Sequence, residues 1–156
     1  MRLHLLAVGT RMPTWVDSGF ADYAKRFPPE CRLELTEIPT GRRGKGLDPK
    51  RATVEEGRRQ LAAIPKDARV LALDERGQSW STAELAQKVA GWLQSGQDLA
   101  LLVGGPDGLA DDCLQRAAQR WSLSPLTLPH ALVRVLVAEQ LCRAISMLKN
   151  HPYHRA

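Results

Sequence analysis

The stretch DLALLVGGPDGL, residues 98–109, decides the fold. Leu99 to Val103 is a short unbroken apolar run between turn residues, the pattern of a strand buried on both faces. Gly104-Gly105-Pro106-Asp107-Gly108 follows it directly, and a helical pattern opens near Ala110. In open α/β sheets ligands bind at the carboxyl ends of strands, and glycines there let a flat ligand approach the main chain because no Cβ intervenes. Gly-Pro-Asp-Gly is also ordinary turn chemistry, so the segment alone does not assign a site. It is neither a G-x-G-x-x-G fingerprint nor a phosphate loop, since no Gly-Lys-Ser/Thr follows.

Working towards the amino terminus, RVLAL (69–73) reads as another buried strand, with DERGQS after it as a loop beginning at Asp74. Ser81 or Thr82 caps a helix to about Leu93, and Gly96 separates it from the deciding strand. LHLLAV (3–8) is a first strand ending at Gly9-Thr10. Thr14 and Asp17 form a weak capping signature for a helix whose Val16, Phe20, Tyr23, Ala24 and Phe27 recur at helical spacing before Pro28-Pro29. RLELTEIP (32–39) is a second strand. The basic loop GRRGKG (41–46) leads to Asp48-Pro49, an N-cap and first-turn proline opening a charged helix to about Ile64.

Towards the carboxyl terminus a helix is expected from about Ala110 to Arg120, then an irregular SLSPLTLPH (122–130). A long helix runs from Ala131 to Lys149, apolar over more than half its circumference. Either it is a central core helix or it also meets a partner subunit. Apolar strands alternating with helices predict an α/β domain with a mostly parallel sheet, in one domain spanning 1–156.

Composition narrows the function classes. The chain has 44% hydrophobic and 25% charged residues, which argues against disorder. Apolar stretches are interrupted by Arg134, Glu139 and Arg143, so no membrane span is expected, and the amino terminus has no cleavage-site pattern. Cys31, Cys113 and Cys142 are scattered and odd in number, neither a disulfide framework nor zinc spacing, which points to a cytoplasmic protein. The net charge of +5 favours a polyanionic partner without proving one.

Arg42, Arg43 and Lys45 of the basic loop are candidate phosphate contacts, or simply a solvated loop. The tail NHPYHRA concentrates His151, Tyr153, His154 and Arg155. Pro152 breaks any helix that would align the two histidines, and no third ligand is evident, so no metal site is expected. Arg134 and Arg143 are further candidates, although Glu139 four residues before Arg143 suggests a structural ion pair.

Taken together, LLAVGTRMPTWVDSGFADYAKRFP, LLVGGPDGL and WSLSPLTLPHALVRVLVAEQLCRAISMLKNHPYHR resemble the RlmH family of bacterial ribosomal RNA large-subunit methyltransferases in the SPOUT superfamily. The likeness covers essentially the whole chain. It implies an α/β knot, with the carboxyl-terminal part threaded into a deep trefoil, an arrangement that the usual rule of unthreaded chains argues against. It also implies a homodimer and methyl transfer from S-adenosylmethionine, without a metal, to N3 of a pseudouridine. That base lies in large-subunit rRNA at the subunit interface of the assembled bacterial ribosome.

Residue by residue, the resemblance implies a cofactor pocket of three loops. Leu71 and Leu73 end the first wall, and Gly104, Gly105 and Pro106 form the second. Ser122, Leu123, Ser124, Pro125, Leu126, Thr127 and Leu128 form the third. The tail is then the candidate catalytic segment: His154 to accept the N3 proton, Arg155 to stabilise the anionic ring or a phosphate, and Tyr153 to stack on the base. The competing expectations are an α/β domain binding another nucleotide cofactor at GGPDG, and a non-enzymatic ribosome-binding factor.

Overall fold

Among residues 1–155, which the computed structural model describes, five strands alternate with five helices. They run β1 (Arg2–Val8), α1 (Thr14–Ala24), β2 (Arg32–Ile38), α2 (Pro49–Ala63), β3 (Arg69–Ser79), α3 (Thr82–Ser95), β4 (Leu99–Val103), α4 (Asp111–Arg116), β5 (Gln119–Ser122) and α5 (His130–Leu148), followed by a 3-10 turn over Pro152–Arg155. Every strand pairs in parallel, in the order β2-β1-β4-β3-β5. The α/β class read from the apolar strands is the one found.

Period-two alternation distributes the side chains of β1, β3 and β4 between two cores. Leu3, Leu5 and Ala7 of β1 and Leu99, Leu101 and Val103 of β4 join Phe20, Leu85, Val89 and Leu141 under α1, α3 and α5. Leu6, Val70, Ala100 and Leu102 point the other way, onto Ala110 and Cys113 at α4 and the apolar residues of α2. Central strands covered on both faces must be apolar throughout, which is why β1 and β4 stand out in the sequence. The buried face of α2 is unusual, because it carries Glu56 and Gln60 one turn apart. Gln60 Nε2 donates to the carbonyls of Leu6 and Val103, both at 3.0 Å, and thereby ties the ends of β1 and β4 together.

Two helix starts follow the capping rules. The Asp48 side chain accepts from the Lys50 amide at 2.9 Å ahead of Pro49, and Ser81 with Glu84 completes a reciprocal capping box on α3. Helix α1 differs from expectation: Pro13 is its N-cap, no side chain caps it, and it ends at Ala24, with Lys25 to Phe27 in turns. Thr14 is already helical, so its hydroxyl is not placed to cap.

Two further boundaries differ. DERGQS is not a loop but the continuation of β3, which breaks register between Leu73 and Gln78 and rejoins β5 at Gln78 and Ser79. The helix expected to reach Arg120 stops at Arg116, and Gln119–Ser122 forms edge strand β5. Both segments are polar because a bulged strand and a sheet edge each keep a wet face, so neither shows the apolar run of a central strand.

Helix α5 is chiefly a core helix. Val137, Ala138, Leu141, Ala144 and Ile145 are buried, and it packs on α1 and α3. Leu132, Val135 and Leu136 remain half-buried and Leu148 exposed. No helix among the described residues is long and apolar enough to cross a membrane.

Candidate active site

The carboxyl ends of β3, β4 and β5 open into one cavity of about 630 Å³, a size suited to a nucleoside-sized ligand. One wall is Leu73 with Asp74, Glu75 and Arg76, where β3 bulges out of register. A second is Val103 with Gly104 to Leu109. Trp121 of β5 lies beneath, buried and stacked on Trp80 with ring centroids 5.4 Å apart. Leu123, Ser124, Leu126, Thr127 and Leu128 make the third wall, and His130 and Val133 of α5 complete it.

The geometry of each wall has a local cause. A Cβ on Gly104 would lie 2.4 Å from the Gly108 carbonyl carbon, so only glycine lets the loop fold back on itself. The turn is closed by the Gly108 amide donating to the Gly105 carbonyl at 3.1 Å. The 123–129 segment lies outside every strand and helix. It is shaped by side chains instead: Ser122 Oγ donates to the Ser124 carbonyl at 3.0 Å, and Ser124 Oγ accepts from the Leu126 amide at 2.9 Å. Across the cavity, Thr127 Oγ1 donates to Glu75 Oε2 at 2.9 Å and joins the first wall to the third. The result is a slot with apolar walls, edged by open peptide groups, the carboxylates of Asp74, Glu75 and Asp107, and Arg76.

At the amino end of α5, Arg134 is fully buried. Its Nη2 donates to the Gly9 carbonyl at 2.6 Å and its Nη1 to Glu37 at 2.7 Å, which clamps the end of β1. His130 beside it has its pKa lowered, first by burial and then by the Arg134 charge, so the imidazole facing the cavity is neutral near pH 7. Among the described residues no group of three or more His, Cys, Asp or Glu side chains is placed to hold a metal ion.

Known proteins agree with this geometry. A family model described as "Predicted SPOUT methyltransferase" matches residues 1–154. The chain belongs to the SPOUT methyltransferase family. It is 62% identical over 156 residues to the ribosomal RNA large subunit methyltransferase H of Alkalilimnicola ehrlichii, covering all of both chains. It is 60% identical to the protein of the same name from Thioalkalivibrio sulfidiphilus, covering 99% of each. Among solved structures, a probable methylase family protein from Haemophilus influenzae matches with a TM-score of 0.54 at 16% identity, over 97% of this chain and 69% of that one. A putative methyltransferase from Legionella pneumophila, solved with bound SAM, matches with a TM-score of 0.50 at 11% identity, over 93% of this chain and 66% of that one. These two likenesses concern the fold alone, a parallel five-stranded sheet flanked by helices, as expected from the sequence.

Within this SPOUT methyltransferase the residues singled out from the sequence fall into three groups. Leu73, Gly104, Gly105, Pro106, Leu123, Ser124, Leu126, Thr127 and Leu128 line the cavity. Leu71, Ser122 and Pro125 do not: Leu71 and Ser122 are buried behind the wall, and Pro125 shapes the outer turn. Tyr153, His154 and Arg155 also lie outside it. Tyr153 Oη donates to Glu139 at 2.8 Å, and its ring is faced by Arg143 at 4.8 Å and Arg26 at 5.5 Å. Burial, and then the Glu139 hydrogen bond, raises the Tyr153 pKa. Glu139 also pairs with Arg143 at 2.7 Å, the ion pair expected from their spacing. The Nδ1 of His154 is buried without a hydrogen-bond partner. Nine residues of α5 separate His130 from Glu139, about 14 Å of helix.

Sequence reasoning passed over Asp74 as a plain strand end, and missed Glu75, Trp121, His130 and Val133 as cavity residues. His130 closes the SLSPLTLPH motif, which was its one visible signal. The edge strand hid Trp121.

Proposed function

We propose that the chain methylates large-subunit ribosomal RNA with S-adenosylmethionine, at N3 of a pseudouridine, acting in the cytoplasm as a homodimer on the assembled bacterial ribosome. The observation that carries this reading is the full-length identity of 62% and 60% to proteins named ribosomal RNA large subunit methyltransferase H.

The cavity suits the cofactor on chemical grounds. Leu73, Leu123 and Leu128 offer apolar surface for a purine, and the peptide groups of the two loops offer hydrogen bonds. Asp74 and Glu75 place negative charge where a sulfonium and ribose hydroxyls need it. When bound, S-adenosylmethionine supplies an electrophilic methyl group. The chain's own work is alignment of the nucleophilic nitrogen, exclusion of water and handling of the N3 proton. Trp121 and the leucines keep the slot dry. His154 takes the proton and Arg155 offsets the negative charge that develops on the ring, with Tyr153 against the base.

Within one subunit the tail packs along the carboxyl half of α5, away from the cavity wall at His130 and Val133. A homodimer brings the tail of one copy to the cavity of the other. The half-buried Leu132, Val135 and Leu136 supply apolar surface for that contact.

The test is transfer of radiolabelled methyl from S-adenosylmethionine to unmethylated ribosomes, separated subunits and naked large-subunit rRNA, with the labelled nucleotide identified by mass spectrometry. Label in N3-methylpseudouridine, mainly from intact ribosomes, is the expected result. Ribosome binding without label would favour a binding factor, and stabilisation only by NAD or ATP would favour another nucleotide cofactor.

A further inference from the structure

Three charged side chains join the basic loop to the wall of the cavity. Glu56 on α2 has a side chain only 2% exposed, and three donors converge on its carboxylate. The Gly41 amide donates at 2.9 Å, Arg43 Nη1 at 2.5 Å and Arg43 Nη2 at 3.2 Å. The remaining edge of the same guanidinium, Nε, donates to Asp107 Oδ2 at 2.9 Å. Behind the wall, Glu56 Oε1 lies 3.4 Å from where a Cβ on Gly105 would stand. Arg43 therefore bridges a buried carboxylate and the glycine loop, while Arg42 and Lys45 stay exposed.

The direction of control follows from burial. A carboxylate as enclosed as Glu56 must be paired, because an isolated charge there is too costly to leave unpartnered. Glu56 sits on a helix fixed by Gln60 to two central strands, so it is the rigid end. Its two-pronged grip fixes the plane of the guanidinium as well as its position. The half-exposed Asp107 is the movable end. Asp107 follows Pro106, and the two lie between the glycines of the turn. Holding its carboxylate holds the conformation of residues 104–108.

We propose that Arg43 is a positioning residue of the cofactor site: anchored by Glu56, it holds Asp107 and so presets the glycine loop for cofactor. The cations of the basic loop then divide their work, with Arg43 serving the cavity and Arg42 and Lys45 left to face RNA. This rests on the proposed function only in taking S-adenosylmethionine as the ligand.

The test is calorimetric titration of the full-length protein with S-adenosylmethionine, alongside thermal melts and cofactor KM and kcat on ribosomes. Asp107→Asn keeps the shape and removes the charge at a half-exposed site. It should weaken cofactor binding about three- to tenfold, the range of one partly exposed charge-assisted hydrogen bond. Cofactor KM should rise in step, with kcat and Tm nearly unchanged. Arg43→Gln should weaken binding at least as much, and adding Asp107→Asn to it should cost nothing more. Arg43→Lys should not restore affinity, since it lacks the fork. Arg42→Gln should leave cofactor affinity as it is. Wild-type affinity in Asp107→Asn, additive losses in the double variant, or an equal loss in Arg42→Gln would each overturn the inference. Failure of the wild-type protein to bind S-adenosylmethionine would instead remove the proposed function, and this inference with it.

Discussion

The two ends of α5 are built in opposite ways. At the amino end, the buried Arg134 holds backbone carbonyls of β1, and a neutral His130 faces an apolar cavity. At the carboxyl end, Glu139, Arg143, Arg26 and Tyr153 form a charged and aromatic cluster on which the tail rests. One end is rigid and suited to binding, and the other is rich in groups that move protons and meet anions. The helix between them makes the separation about 14 Å or more. A single copy thus holds both halves of the proposed chemistry without joining them, which is why the homodimer belongs to the proposal.

The sharpest way to break this comparison is at the tail. Replacing His154 and Arg155 together by alanine should lower methyl transfer to ribosomes about 100-fold or more, with cofactor affinity unchanged by calorimetry. A matching loss of cofactor affinity would show that the tail belongs to the binding end.

At the amino end the expected loss is in folding. Arg134→Met removes a buried cation and leaves the carbonyls of Val8 and Gly9 without their donor. It should cost about 3 kcal/mol and lower Tm by roughly 10 °C in calorimetry. Gly104→Ala should act next, by distorting the loop against Gly108, and weaken cofactor binding about tenfold with a smaller fall in Tm.

The smallest effects separate the two ends by pH. His130 has a folded pKa below its usual 6.5, so the unfolded chain binds more protons in acid. Its contribution to stability is present above pH 6.5 and is lost as pH falls below it. Tyr153 has a folded pKa above its usual 10.0, so the unfolded chain releases the phenolic proton first. That contribution is present below pH 10 and is lost as pH rises beyond it. Denaturant melts of His130→Gln and Tyr153→Phe should flatten the acid and the alkaline limb respectively, and not the reverse.

How much of this the sequence announces depends on what each residue's neighbours are. Leu99 to Val103 and Leu3 to Val8 are legible because a strand covered on both faces leaves little room for a polar side chain; His4, which reaches Asp98 at 3.1 Å, is the exception. Gln119 to Ser122 and Asp74 to Ser79 are not, because a sheet edge and a bulged strand resemble loops. Of the cavity, the glycine loop and the 122–128 segment come from motifs, whereas Glu75 and Trp121 face it only through tertiary placement. Glu56 is the hardest case. On a helix with six other charged or amide side chains it has no local mark of burial, and its partners arrive from residues 41, 43 and, through Arg43, 107.

The pairing of β3 with β5 couples ligand binding to completion of the fold. In the chain, α3, β4 and α4 all lie between Ser79 and Gln119. The floor residue Trp121 and the whole third wall of the cavity lie beyond that point in the chain. Closing a segment of this length is an entropic cost met before its contacts form. Binding competence therefore requires the edge strand and the segment after it to be in place. A ligand that needs all three walls reports on the finished chain alone and draws the equilibrium towards it.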